Sequence, residues 1–174
     1  MKKYRISLAA MMVLCLVSFS LAASDKDKLQ GTWKLISIED PKPNPDAPDI
    51  NPTGYMIYDS TGHMAFQVTK RPDRPRFASN SLTRGTPEEI KGAFIGYGAY
   101  YGTYEVDVKN AIVTHHVEGN LFPNNVGAEN IRYYEFVSDN RVTLFVSGRN
   151  KDGKILPKNP GGRRLTFERN KLQP

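Results

Sequence analysis

Residues 99–118 read Ala-Tyr-Tyr-Gly-Thr-Tyr-Glu-Val-Asp-Val-Lys-Asn-Ala-Ile-Val-Thr-His-His-Val-Glu. Before the Lys109-Asn110 pair, large apolar residues occupy every second position, with polar residues between them: Tyr104, Val106 and Val108. Such alternation is typical of a strand with one buried and one exposed face. Because Asn tolerates the backbone of a tight turn, the stretch predicts an antiparallel hairpin in an all-β chain.

Similar segments, rich in β-branched and aromatic residues and bounded by turn residues, recur along the chain. They predict eight strands: 31–39, 54–59, 63–69, 99–108, 111–118, 129–138, 141–148 and 163–169. Sequential strands with short turns favour a closed, antiparallel up-and-down barrel, because closure removes exposed sheet edges. A two-sheet sandwich is the alternative. A barrel of about eight strands can enclose one small ligand.

The remaining segments predict loops and one short helix. Five prolines between 40 and 52 exclude that segment from central sheet, and 71–86 and 149–162 also read as loops. The helix is predicted at 86–97, where Thr86 and Glu89 form a capping box around Pro87 at the first helical position.

The first 22 residues predict a cleaved signal peptide. Lys2, Lys3 and Arg5 precede an uncharged apolar run, and Ser20-Leu21-Ala22 offers small residues for cleavage. The run is short for an uncleaved anchor, which needs about 20 apolar residues. We therefore expect an exported protein, periplasmic or secreted, whose mature chain 23–174 is one domain without a remaining membrane span.

Removal of the leader changes the charge and the cysteine content. Three of its cations contribute to the net charge of +6, so the mature chain is only mildly basic and a nucleic-acid partner is not expected. Cys15 also lies in the leader and is the single cysteine, so no disulfide is available to the mature chain.

Several motifs together resemble one known family. The segments that carry the resemblance are Gly31-Thr32-Trp33, Gly54-Tyr55-Met56-Ile57-Tyr58, Tyr101-Gly102-Thr103-Tyr104-Glu105-Val106, Val113-Thr114-His115-His116-Val117-Glu118-Gly119, Ile131-Arg132-Tyr133-Tyr134 and Leu165-Thr166-Phe167-Glu168-Arg169. In this order they are similar to the lipocalin-like domain family of bacteria and fungi, over nearly all of the mature chain. The resemblance implies a barrel with a cavity, in which Arg169 packs over Trp33 where the barrel closes. The chain departs from the family at Phe167, where Trp is frequent, and in the 149–162 loop.

His115 is the first candidate for chemistry. It shares its strand face with Val113 and Val117 and is expected to point inward, whereas His116 points outward. The two rings cannot bind one metal from a regular strand, and we expect no metal site and no cofactor. His115 is either a proton carrier or a structural histidine that hydrogen-bonds a tyrosine or a backbone group. No Ser or Cys nucleophile has motif support, and no residue is assigned as catalytic.

Arg132 is the second candidate, because its strand parity matches that of Tyr134 and Phe136. A buried arginine needs a partner, either a structural carboxylate such as Glu105 or Glu118, or the acid group of a ligand. Tyrosines combine an apolar ring with a hydroxyl group and suit a pocket. The predicted ligand-binding set is Tyr58, Tyr104, His115, Arg132 and Tyr134.

These features favour a carrier of a small hydrophobic or amphipathic ligand, with an acidic ligand if Arg132 points inward. Two alternatives stay open. One is a cavity enzyme, such as an isomerase, cyclase or hydrolase, that uses His115 to move a proton. The other is a barrel filled by its own side chains that acts through its surface. The sequence leaves the oligomeric state open.

The leader generates a direct prediction. The exported protein should begin at Ala23 or Ser24, since cleavage is predicted after Ala22 or Ala23. Intact-mass measurement of the exported fraction of the native host checks this. A mass that still includes residues 1–22 would contradict cleavage.

Overall fold

Eight antiparallel strands follow one another along the chain and close into a barrel, each pairing with its neighbours in sequence. A computed structural model describes residues 24–46, 48–81 and 83–170, and the predicted leader lies outside them. The strands are β1 (Gly31–Glu39), β2 (Thr53–Tyr58), β3 (His63–Thr69), β4 (Tyr97–Asp107), β5 (Ile112–Asn120), β6 (Glu129–Ser138), β7 (Arg141–Val146) and β8 (Arg164–Arg169). Two helices, α1 (Asp25–Leu29) and α2 (Pro87–Ile95), and a 3-10 turn (Pro123–Asn125) accompany them.

The predicted barrel is confirmed, and the sandwich is wrong because β1 pairs with β8. The strand bounds differ from the predicted ones by at most two residues at either end. Strand β4 begins two residues earlier than predicted and includes Gly98, β5 ends two residues later, and β7 ends two residues earlier. The helix at 86–97 is present as α2 with both hydrogen bonds of its capping box. Helix α1 was not predicted, because five residues are too few to show helical periodicity.

One end of the barrel is closed by α1 and by the pairing of the first and last strands. The Arg169 guanidinium lies 4.2 Å from the Trp33 ring centroid and donates to the carbonyls of Lys28 and Gln30 at 2.5 and 2.7 Å. The Trp33 indole N–H donates to the Leu29 carbonyl at 2.7 Å. These bonds satisfy carbonyls at the C-terminus of α1 that the helix itself leaves unpaired.

Gly31 is required at this closure. Its φ of +122° lies in a region that side chains disfavour, and an added Cβ would lie 2.9 Å from a guanidinium nitrogen of Arg169. The first residue of β1 therefore leaves room for the last residue of β8.

The opposite end is the mouth, and loops surround it. The strand ends that meet there lead into the segments 40–52, 70–86, 121–128 and 147–163. The proline-rich segment is attached to the barrel by Arg163, which donates to Asp40 at 2.5 Å and to Asp49 at 2.7 Å. The mouth is thus bordered by irregular backbone that is anchored at specific side chains.

The closure predicts a large stability effect of Arg169. Arg169→Met should lower the free energy of unfolding by about 2–4 kcal/mol, because it removes the cation–π contact and leaves two carbonyls without their charged donor. Urea titration measures the change.

Arg141→Gln is the matched control. Arg141 pairs with Glu168 on the surface at 3.3 Å, with 47 % of its side chain exposed. Its loss should cost less than about 1 kcal/mol. Equal losses of unfolding free energy in the two variants would show that Arg169 contributes no more to stability than a surface arginine.

Candidate ligand-binding site

Two adjoining cavities lead from the mouth into the barrel. The outer cavity has a volume of about 490 Å³ and the inner one about 140 Å³. They share four lining residues: Phe66, Tyr100, Arg132 and Arg163. The outer volume lies within the range of about 300–1,000 Å³ that is usual for small-molecule sites.

The inner cavity has a mainly apolar lining that includes a few polar side chains. Its apolar lining comes from β2, β3, β7 and β8: Met56, Phe66, Leu144, Val146, Leu165 and Phe167. His115, Arg132 and Tyr100 supply polar groups at the same cavity. An apolar lining with a few converging polar groups is the usual composition of a ligand site.

His115 lies at the centre of a hydrogen-bond chain. Its side chain is fully buried on β5, with the Tyr58 hydroxyl 2.7 Å from Nε2 and the Tyr100 hydroxyl 2.9 Å from Nδ1. The inward direction predicted from strand parity is observed, and so are tyrosine contacts of the kind expected for a structural histidine. A role for His115 as a proton carrier stays a prediction.

Burial keeps the three hydrogen-bonded side chains Tyr58, His115 and Tyr100 uncharged. It lowers the pKa of His115 well below its ordinary value, and the charge of Arg132 acts in the same direction. Burial likewise raises the pKa values of Tyr58 and Tyr100. At neutral pH the three groups therefore exchange hydrogen bonds as uncharged side chains.

Arg132 provides the charge at the cavity. Its guanidinium donates to the Ile131 carbonyl at 2.8 Å, and none of the carboxylates in the described part of the chain lies within 4.0 Å of it. The prediction that Glu105 or Glu118 pairs with Arg132 is wrong. Both glutamates lie on the exposed outer face, and Glu105 faces His116 instead. Arg132 thus lines the cavity as a cation that has no acidic partner among the described residues.

Arg163 lies in the same cavities but is already paired. The carboxylates of Asp40 and Asp49 take its charge, and the hydrogen bond from Arg163 holds the pKa of Asp40 below its ordinary value. The sequence predicts Arg163 only as the first residue of the last strand, and it lies directly before β8. Successive residues of a strand point to opposite faces, so an outward Arg164 indicates that Arg163 points inward.

The three tyrosines of the predicted ligand-binding set lie at different depths along the barrel axis. The Tyr104 hydroxyl donates to the Asp59 carbonyl at 2.8 Å, and the Tyr134 hydroxyl donates to Asp25 of α1 at 3.2 Å. Neither residue lines the two cavities, and Tyr58 lies behind His115. Their contact with a ligand stays a prediction.

Tyr100 does line both cavities, although it was not in the predicted set. It shares its strand parity with Tyr104, and this signal was present in the sequence. Gly102 follows it where β4 and β5 approach closely, since an added Cβ there would lie 1.9 Å from the His116 carbonyl oxygen. A side chain at position 102 would separate the two strands that hold Tyr100 and His115 together.

The outer face carries no metal cluster in the part of the chain that the structure describes. His116 lies between Glu105 and Glu129, at 3.8 and 3.9 Å, and no group of three or more His, Cys, Asp or Glu residues within 24–46, 48–81 and 83–170 is arranged to hold a metal ion. None of the helices in these ranges is long and apolar enough to cross a membrane.

The eight strands form a sheet that closes on itself as a barrel, and the cavity opens to solvent at one end of that barrel. The family model described as the lipocalin-like domain matches residues 30–169, so the chain belongs to that family and the expected resemblance is confirmed. A solved structure of a redesigned β-barrel is similar at 12% sequence identity, with 84% of this chain and 95% of that chain covered and a TM-score of 0.39. No curated protein matches the chain.

The buried histidine predicts a pH dependence of stability. Because the folded pKa of His115 lies below its ordinary value of 6.5, the unfolded chain binds the proton more readily. This contribution to stability is therefore complete above the unfolded pKa and is lost as the pH falls below it. Between about pH 7.5 and pH 5.5, the free energy of unfolding should fall by roughly 1.3 kcal/mol.

Urea titrations at the two pH values measure this loss, which His115→Gln should abolish. The exposed His63 gives the control, because His63→Gln should leave the loss unchanged. A loss that persists at full size in His115→Gln would assign it to other groups.

Proposed function

We propose that this chain is an exported binding protein for a small amphipathic acid. The apolar part of the ligand packs against the apolar side chains that line the cavities, and its acid group pairs with Arg132. The observation that carries the proposal is the position of Arg132, at the cavity and without a carboxylate from the described residues. Export follows from the leader-like first 22 residues.

The energetic argument favours an anion over a neutral ligand. A half-buried cation has lost part of its hydration, and a carboxylate restores that loss through charge-assisted hydrogen bonds, which an arginine can make in pairs. Burial of about 350 Å² of apolar ligand surface contributes roughly 9 kcal/mol, and lost translational and rotational freedom costs about 4 kcal/mol or more. The contact with Arg132 adds about 1.5–3 kcal/mol, or roughly tenfold to a hundredfold in affinity.

The alternatives have less support from the geometry. Both ring nitrogens of His115 are hydrogen-bonded to tyrosines, so neither faces a molecule in the cavity directly. A barrel filled by its own side chains would not leave adjoining cavities of about 490 and 140 Å³. A binding role uses the charge, the cavity and the apolar walls together.

A titration of matched acids and alcohols tests the proposal. Straight-chain carboxylates of about six to twelve carbons, and the alcohols of equal length, are titrated into the mature protein by calorimetry. We expect the acids to bind at least about tenfold more tightly than the alcohols, since only the acids can pair with Arg132.

Two variants locate the effect. Arg132→Gln should remove the preference for acids and leave the weaker alcohol binding in place, whereas Arg141→Gln on the outer surface should change neither. Equal affinity of acids and alcohols for the unmodified protein would count against the proposal, as would an acid preference that survives Arg132→Gln.

A further inference from the structure

The Tyr58–His115–Tyr100 chain has a direction that follows from its chemistry. A neutral imidazole has one N–H donor and one unprotonated nitrogen that accepts. His115 contacts a tyrosine hydroxyl at each nitrogen, at 2.7 Å for Tyr58 and 2.9 Å for Tyr100. One tyrosine must therefore donate to the ring, and the other must accept from it.

Burial decides which tyrosine donates. Tyr58 is 1 % exposed, and within the described ranges its hydroxyl has one hydrogen-bond partner, Nε2 of His115. If Tyr58 accepted from Nε2, its own proton would be buried without an acceptor, which is costly in a protein interior. Tyr58 therefore donates to Nε2, and the ring proton lies on Nδ1 and is donated to Tyr100.

Tyr100 then has a proton left to donate. Its oxygen accepts from His115, and the residue lines the cavity together with Arg132. Burial raises the pKa of the Tyr100 hydroxyl, whereas the charge of Arg132 and hydrogen bonding by Asn130 and Arg132 act to lower it. The Tyr100 hydroxyl and the Arg132 guanidinium therefore border the same two cavities.

We propose that the Tyr100 hydroxyl and the Arg132 guanidinium form a two-point site for the carboxylate of the ligand. Tyr58 and His115 are positioning residues that fix the direction of the hydrogen bond at Tyr100, so that its hydroxyl proton is available to a ligand. The inference rests on the proposed function and deepens it, because it assigns the head group of the ligand as a carboxylate with one oxygen for each donor. Chains of hydrogen bonds in which each member donates to the next strengthen the terminal donor.

Packing holds Tyr100 in the required place. Its ring lies 5.0 Å from the Phe66 ring and 5.8 Å from the His115 ring, measured between centroids. Held between these neighbours, the hydroxyl is preorganised, so a ligand does not have to order it on binding.

The tautomer of His115 is the first test and needs no ligand. Nitrogen-15 NMR of the unmodified protein at neutral pH should show a protonated Nδ1 and an unprotonated Nε2 on His115. The opposite tautomer would overturn the proposal, because Tyr100 would then donate to the ring and have no proton for a ligand. This result is independent of whether any acid binds.

The second test measures the head group. Tyr100→Phe should weaken binding of octanoate at least about fivefold and leave binding of octanol within about twofold, since a hydrogen bond from the hydroxyl to a charged carboxylate is much stronger than one to an alcohol oxygen. Tyr101→Phe is the matched control, because the adjacent Tyr101 is 59 % exposed on the outer face. The NMR spectrum of each variant reports whether the fold is retained.

The outcomes separate the two proposals. Octanoate binding that depends on Arg132 but not on Tyr100 would overturn the two-point site and leave the proposed function in place. Absence of octanoate binding by the unmodified protein would overturn both. Loss of octanoate affinity in Tyr100→Phe, together with a protonated Nδ1, supports the two-point site.

Discussion

The contact between Arg169 and Trp33 joins the last strand to the first, and the rest of the barrel depends on that junction. One guanidinium covers the indole ring and also binds the carbonyls of Lys28 and Gln30. The same side chain therefore closes the sheet, seals one end and holds α1 in place. Because the sequence has a single cysteine, no disulfide can form within the chain, and closure by hydrogen bonds and packing takes over the role of a covalent link.

Closure at one end gives the interior a polarity along its axis. The closed end is occupied by Trp33, Tyr134 and Phe136 around α1, whereas the mouth end has Arg132 and Arg163 at the cavities. The Tyr58–His115–Tyr100 chain lies between these layers and connects buried structure to the cavity. The side chains that close the barrel and those that line the cavities therefore lie in different layers of one barrel.

Much of this could be predicted from alternation, since a period of two places Tyr104, His115 and Arg132 on the inner face without any tertiary information. Alternation does not give depth along the barrel axis, so it places Tyr104 and Tyr134 in the same predicted ligand-binding set as Arg132, although they lie outside the lining of the two cavities. It also gives no partners across the barrel, so the pairing of His115 with Tyr58 and Tyr100 required the register of separate strands. The pairing of Arg163 with Asp40 and Asp49 depends on a proline-rich loop whose path has no periodic signal.

The pairing of β1 with β8 also has a consequence for the order in which the chain can mature. The ribosome synthesises β8 last, and both β1 and β7 need it as a neighbour. Until those final residues emerge, two sheet edges remain unpaired and Trp33 has no guanidinium over it. The barrel therefore cannot close before β8 has been synthesised, and up to that point any sheet formed by the earlier strands carries two edges without their final partner.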